Sequence, residues 1–151
     1  TDGKAKMSKT LNNCIYLKDT ADTIRAKVKG MFTDPRHLKI DDPGNTEENP
    51  VFIYLRSFCS DEHFKTFCPT YQNLAEMEAH YRKGGLGDGI VKKFLADVLI
   101  AEFEPVYTRR MEWEQHLDDV KDILYKGTKK TIEITNRTLE TVRSAIGIMQ
   151  F

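Results

Sequence analysis

In GLGDGIVKKFLADVLIAEFEP, residues 85–105, apolar side chains return at helical spacing. Ile90, Val91, Phe94, Leu95, Val98, Leu99 and Phe103 make a stripe wide enough to sit at the centre of a core. Asp88 stands where a side-chain N-cap is expected. Pro105 should kink or interrupt the helix, because its ring removes a backbone hydrogen bond and crowds the preceding turn. The pattern resumes through Met111, Leu117, Val120, Ile123 and Leu124, and Gly127 reads as its stop. Thr128 then caps a last helix with Ile132, Thr135, Leu139, Val142 and Ile146 on one face.

Towards the N-terminus the punctuation is also helical. Thr20 caps a segment whose Ile24, Val28, Met31 and Phe32 share a side, and Gly30 and TDP end it near residue 32. DPRHLKIDDPGNTEENP, residues 34–50, is a long loop with a turn expected at Asp42-Pro43-Gly44-Asn45. Loops of this length commonly carry function. Asn49 followed by Pro50 reads as a cap with proline at the first helical position, and Val51, Tyr54, Leu55 and Phe58 line the helix that follows. Ser60 caps a short helix bearing Phe64 and Phe67. Another is expected from Pro69, with Leu74, Met77 and Tyr81 inward and Gly84-Gly85 at its end. CIYL, residues 14–17, is the one candidate for strand alternation, and no internal repeat is present. The expected fold is all-α, a bundle of about six helices.

Composition narrows the class. The 151 residues suit one domain or slightly more, and 40% hydrophobic with 30% charged is a globular balance. No apolar run reaches the roughly eighteen residues a membrane helix needs, and the lysine-rich start lacks the apolar core of a signal peptide. A net charge of +0 excludes binding of nucleic acid by blanket neutralisation. Any such contact must be a local patch. Residues 1–40 hold nine basic against four acidic side chains, which reads either as a solvated face or as an anion-facing edge. Three cysteines, Cys14, Cys59 and Cys68, show no framework spacing and read as reduced thiols. Cys59, His63 and Cys68 are possible metal ligands, but no fourth is apparent, and buried thiols beside a surface histidine fit as well. Trp113 reads as partly buried. Glu102 with Glu104, and Glu112 with Glu114, point to different helix faces and form no acid–base pair.

GKAKMSKTLNN, residues 3–13, carries the chemistry. Lys6 and Lys9 are three apart, with Ser8 between them and Gly3 upstream. Two mobile ammonium groups and a hydroxyl suit negative charge that grows during a reaction, such as a leaving pyrophosphate. Five residues of this kind also occur in ordinary surface loops.

The context distinguishes these. KMSKT resembles the KMSKS signature of class I aminoacyl-tRNA synthetases. KMSKTLNNCIYLKD, TDP, PGNTEENPVFIYLRSF, GLGDGIVKKFLADVLIAEFEPVYTRR and KGTKKTIEITNRTLETVRSAIG follow one another as in the bacterial tryptophanyl-tRNA synthetase family, over essentially the whole chain. The tyrosine-specific relatives share the loop but are not expected to carry the TDP, PGN, NPVF series. The resemblance implies that residues 1–18 are the signature loop and end of a Rossmann catalytic domain, and that 19–151 form a helical domain recognising the tRNA anticodon. The other class I signature, a His-x-Gly-His tetrapeptide, is not found: the four histidines sit in HLKI, HFKT, HYRK and HLDD. The chain is therefore expected to be the C-terminal part of a longer enzyme, inactive alone. The ATP adenine and tryptophan sites would lie in the absent half.

By the same resemblance, Lys6, Ser8 and Lys9 are catalytic, and Lys6, Met7, Ser8, Lys9 and Thr10 bind ATP, which enters with Mg2+ as substrate. Thr10 replaces the usual serine and keeps a hydroxyl. Some relatives carry a Cys-x-x-Cys after GLG. Asp88 and Val91 stand there instead, so no metal or cluster is expected. Arg36, Lys39, Lys92, Lys93, Arg109 and Arg110, with His37, are candidates for contact with tRNA(Trp). A homodimeric, cytoplasmic parent enzyme is implied, with no membrane partner and with this chain monomeric by itself. A free-standing helical RNA-binding module is the alternative, and a purely structural helical domain a third.

Overall fold

A computed structural model describes residues 5–148, and these form six α-helices with no strand among them. The all-α expectation holds, and CIYL is not a strand. The helices are α1 (Ala21–Lys29), α2 (Pro50–Phe58), α3 (Asp61–Phe67), α4 (Leu74–Lys83), α5 (Asp88–Glu114) and α6 (Leu117–Ala145). The chain divides into two compact units between Thr108 and Arg109.

In the first unit the core is made by Ile24 and Val28 of α1, Val51, Phe52 and Leu55 of α2, Phe64 of α3, Met77 and Tyr81 of α4, and Val91, Phe94, Leu95, Val98 and Leu99 of α5. Aromatic rings hold adjoining helices together, with Phe64 and Phe94 centroids 4.6 Å apart and Phe52 and Tyr81 4.8 Å apart. Such pairs contribute beyond their buried area. The caps follow the residue chemistry. Thr20 Oγ1 accepts from the Thr23 amide at 3.3 Å, and Asn49 Oδ1 accepts from the Val51 amide at 3.0 Å ahead of Pro50.

Several boundaries differ from expectation. α4 begins at Leu74 rather than Pro69, because Asn73 supplies the cap, accepting from the Glu76 amide at 3.1 Å. Asp88 does not cap α5. It is the first helical residue, and both its carboxylate oxygens are engaged elsewhere, by Tyr81 and His37. α5 runs unbroken through Pro105, where Glu104, Pro105 and Val106 are all exposed and water can serve the carbonyl that proline leaves unpaired. The break comes at Gln115-His116, and α6 passes straight through Gly127 and Thr128. A glycine inside a helix costs only about 1 kcal/mol relative to alanine, too little to end one of 29 residues.

The second unit holds the end of α5 and all of α6, and α6 buries none of its residues. Ile132, Leu139, Val142 and Ile146 share a face as expected, and that face is exposed. Trp113 is exposed too, at 46%, rather than partly buried.

The long loop before α2 is built, not slack. The buried Asp34 carboxylate accepts from the amides of Arg36 at 3.0 Å and Asn45 at 3.1 Å, and from the Arg36 guanidinium at 3.3 Å. Burial alone would raise its pKa, but these donors outweigh that and hold it below the usual carboxylate value. The expected turn lies earlier, at Lys39–Asp42, closed by the Asp42 amide to Lys39 O at 3.0 Å and the Lys39 amide to Asp42 Oδ2 at 2.7 Å. Gly44 then lies flat on the Tyr81 ring and donates its amide to Tyr81 O at 3.1 Å.

A Cβ at position 44 would stand 2.1 Å from a Tyr81 ring carbon. Gly44→Ala should therefore lower stability by about 1–3 kcal/mol, the usual cost of overpacking. Urea unfolding would show this as a lower midpoint at unchanged slope. An unchanged midpoint would mean that the ring swings aside freely.

Candidate functional site

Residues 6–13 close on themselves. The Ser8 amide donates to Asn13 Oδ1 at 2.8 Å, the Leu11 amide to Ser8 Oγ at 3.2 Å, and the Asn12 amide to Lys9 O at 3.1 Å. Asn12 completes the turn at φ 48°, a conformation asparagine tolerates better than most residues. Lys6, Met7, Lys9 and Thr10 are left exposed, and Ser8 is half-buried. Among the described residues, neither Lys6 nor Lys9 has an ion-pair partner. Gly3 lies outside the described residues.

Behind this turn lies a cavity of about 320 Å3, lined by Met7, Asn12, Asn13 and Cys14, Lys27 and Met31 at the end of α1, and Pro50 and Tyr54 of α2. Tyr54 donates its hydroxyl to Met7 Sδ at 3.0 Å. Residues 14–19 are tied to α1 by Lys27, whose ammonium donates to Cys14 O at 2.9 Å, pairs with Asp19 and lies 4.4 Å from the Tyr16 ring centroid.

The candidate RNA-facing residues divide. Arg36, Lys39, Lys93, Arg109 and Arg110 are exposed. Arg36 pairs with Asp34, Lys93 with Asp97 at 2.8 Å and Arg110 with Glu114 at 2.8 Å. Arg109 and Arg110 belong to the second unit. Lys92 does not face solvent. It is buried, and its ammonium donates to Met31 O at 2.7 Å, Thr33 Oγ1 at 2.6 Å and, more weakly, Lys29 O at 3.4 Å. It thereby closes the carbonyl end of α1, where a cation is favoured. Burial lowers its pKa, against the pull of the Asp88 charge. The signal was in the sequence, since Lys92, Leu95 and Leu99 are spaced three and four apart on the buried stripe. His37 is likewise buried, on Asp88. Tyr54 and Asn13 were missed as parts of the site, since neither reveals its partner by spacing.

Residues 1–104 match the family described as tRNA synthetases class I (W and Y). That is more than half of the chain, so it belongs to this family of class I tRNA synthetases. Within the family its likeness is to the tryptophan-specific members. It is 50% identical over 151 residues to the tryptophan–tRNA ligase of Clostridium longisporum, which covers 100% of this chain and 42% of that protein. The tryptophan–tRNA ligase of Streptococcus mutans is 45% identical over 150 residues, covering 99% and 42%. The crystal structure of tryptophanyl-tRNA synthetase from Campylobacter jejuni superposes with a TM-score of 0.69 at 25% identity, covering 95% of this chain and 43% of that one. The same enzyme complexed with ADP and tryptophan gives 0.69 and 25%, covering 95% and 41%. The chain thus spans about 42% of the length of these ligases. No helix among the described residues is long and apolar enough to cross a membrane.

Cys59, His63 and Cys68 are not gathered into one ligating group among the described residues. Among the described residues, no three side chains of the ligating types converge. His63 Nδ1 accepts from the Ser60 amide at 3.0 Å, and Nε2 lies 3.4 Å from Glu102. Cys59 donates to Ser60 O at 3.5 Å. Burial, helped by the Asp61 charge, pushes the Cys59 thiol up to about 11. A raised pKa removes thiolate at neutral pH, and thiolate is the reactive form. At pH 7, below both values, the native Cys59 should react with iodoacetamide about a hundredfold more slowly than the same peptide in denaturant, as two pKa units require. Peptide mass spectrometry would read this, and equal rates in the two states would contradict it.

Proposed function

We propose that this chain supplies the signature loop and the tRNA-recognition domain of a tryptophan–tRNA ligase whose catalytic half lies outside it. In that enzyme the tryptophan carboxylate attacks the α-phosphorus of ATP, and pyrophosphate leaves. Lys6 and Lys9 neutralise the charge that develops on the leaving group. Ser8 offers its hydroxyl proton, while Met7 and Thr10 complete the ATP-facing edge. Mg2+ arrives with ATP as part of the substrate. The tryptophanyl group then passes to the 3′ end of tRNA(Trp).

The observation that carries this is a self-closed turn that exposes two ammonium groups with no ion-pair partner among the described residues, in a chain 50% identical along its length to a tryptophan–tRNA ligase. Cations already neutralised by carboxylates could not rise in effect with the transition-state charge. Residues 1–18 belong on this view with the catalytic domain, and 19–151 form the tRNA-recognition domain. Arg36, Lys39, Lys93, Arg109 and Arg110 are its phosphate contacts. Lys92 is left out because its ammonium is spent on α1. The parent enzyme is a cytoplasmic homodimer, and this chain by itself is a monomer.

The chain alone should give no tryptophan-dependent ATP–pyrophosphate exchange, because the rest of the charge-stabilising site is absent. Joined to the catalytic half of the Clostridium longisporum ligase, it should be active. Lys6→Ala or Lys9→Ala should then cut kcat by about 10²–10³-fold, with KM for tryptophan little changed. Full exchange activity in both variants would overturn the assignment.

Titration of tRNA(Trp) at several salt concentrations checks the second role. Arg36→Ala should reduce the slope of log affinity against log salt by about 1. Tight binding by the chain alone, with no activity in the joined enzyme, would favour the free-standing RNA-binding module.

A further inference from the structure

The bonds inside the turn at 8–13 fix its shape but not its place. Ser8, Leu11, Asn12 and Asn13 bond among themselves and to Lys9, and none of these contacts reaches a helix or includes Lys6. The hydrogen bond from Tyr54 to Met7 does reach one. It joins residues 47 apart in sequence, and Met7 lies directly between Lys6 and Ser8. Consecutive Cα atoms are about 3.8 Å apart, so fixing the Met7 thioether restricts both neighbours.

The anchor is firm. Tyr54 stands on α2, whose start is set by the buried Asn49 and Pro50, and its neighbours Val51 and Leu55 are in the core. Its ring packs on Phe58 with centroids 6.0 Å apart. Burial, followed by the Cys14 charge, raises the phenol pKa, so the hydroxyl remains a donor at neutral pH. The acceptor is soft. A thioether is a weak acceptor on a flexible, unbranched stem. A contact of this kind holds a loop in one place yet releases it more readily than an ion pair to a buried carboxylate would.

We propose that Tyr54 is a positioning residue for the signature loop: its hydroxyl, through Met7 Sδ, sets where Lys6 and Lys9 wait before the leaving phosphates reach them. This rests on the loop acting on ATP as proposed above. Tyr54 itself touches no substrate and acts through Met7. The cavity behind the turn gives the loop room to move when the contact opens.

Two variants isolate the contact. Tyr54→Phe removes the donor and keeps the ring, and Met7→Leu removes the acceptor and keeps the bulk. In the joined enzyme each should lower kcat for ATP–pyrophosphate exchange by about 2–10-fold, the usual worth of one hydrogen bond, with KM for tryptophan and the melting temperature unchanged. The double variant should lose no more than either single one, as two partners in one contact require. Multiplying losses, or a Tyr54→Phe kcat equal to the parent's, would overturn the proposal. A second measurement uses this chain alone, labelled at the methionine methyls. Tyr54→Phe should shift the Met7 methyl resonance and speed amide exchange across residues 7–12. An unmoved resonance with unchanged exchange would also overturn it. If Lys6→Ala and Lys9→Ala leave the joined enzyme fully active, the catalytic reading fails instead, and the methyl experiment still decides whether Tyr54 holds the loop.

Discussion

The Asp88 carboxylate accepts the Tyr81 hydroxyl at 2.8 Å on one oxygen and the His37 Nδ1 proton at 2.7 Å on the other. One side chain at the start of α5 thus binds α4 and the long loop at once. Tyr81 answers by lying edge-to-face on His37, with centroids 4.6 Å apart, while Gly44 covers its ring and bonds to its carbonyl. Burial and the Asp88 charge raise the Tyr81 pKa, which keeps its hydroxyl a donor. Drawing His37 inward has a consequence for its neighbours. Arg36, Leu38 and Lys39 must point outward, and all three are exposed. The cations proposed to meet RNA are therefore presented by a buried polar knot, not by chance surface placement.

This explains which parts of the family pattern concern architecture. In TDP, Asp34 clamps the loop through the Asn45 amide. In PGN, Gly44 is required by the Tyr81 ring. In NPVF, Asn49 caps α2, Pro50 starts it, and Val51 and Phe52 enter the core. None of these residues has a chemical task left over. They identify the fold, whereas KMSKT is the block whose cations have no ion-pair partner among the described residues. The matched region ends at residue 104, close to where the first unit ends and core packing gives out. Beyond it, α6 buries nothing, so its helix is sustained by local propensity and by pairs such as Lys126 with Asp122.

Local signals were legible and tertiary ones were not. Thr20, Asn49 and Ser60 marked helix starts because a cap is settled within a few residues, and the stripe from Val91 to Leu99 marked the core because burial imposes a period. Pro105 and Gly127 misled because each signals a local cost of a few kcal/mol at most, and a long exposed helix tolerates that. Asp88 misled for the opposite reason. Its position suits a cap, but two distant donors claim its carboxylate. Lys92 was misplaced by its charge, although its spacing put it inside. In the candidate site, KMSKT was readable as a cluster of charge and hydroxyl. The bond from Ser8 to Asn13 and the contact from Tyr54 to Met7 join side chains whose meeting depends on backbone path, so nothing in the residue order announces them.

The treatment of cations across the first unit separates structure from proposed chemistry. Lys27 is held by Asp19 and a carbonyl, and Lys92 by two carbonyls and a hydroxyl. Each of these ammonium groups has its counter-dipole in place, so another anion would have to displace it. Lys6 and Lys9 have no such partner among the described residues, and their loop is tethered through an uncharged thioether. Had Met7 been a carboxylate beside Tyr54, the tether would be stronger, but a negative charge would then sit between the two lysines and compete with phosphate for them. An apolar, polarisable side chain gives position without charge. That is the combination required of groups that must wait unpaired and then meet negative charge only as it forms.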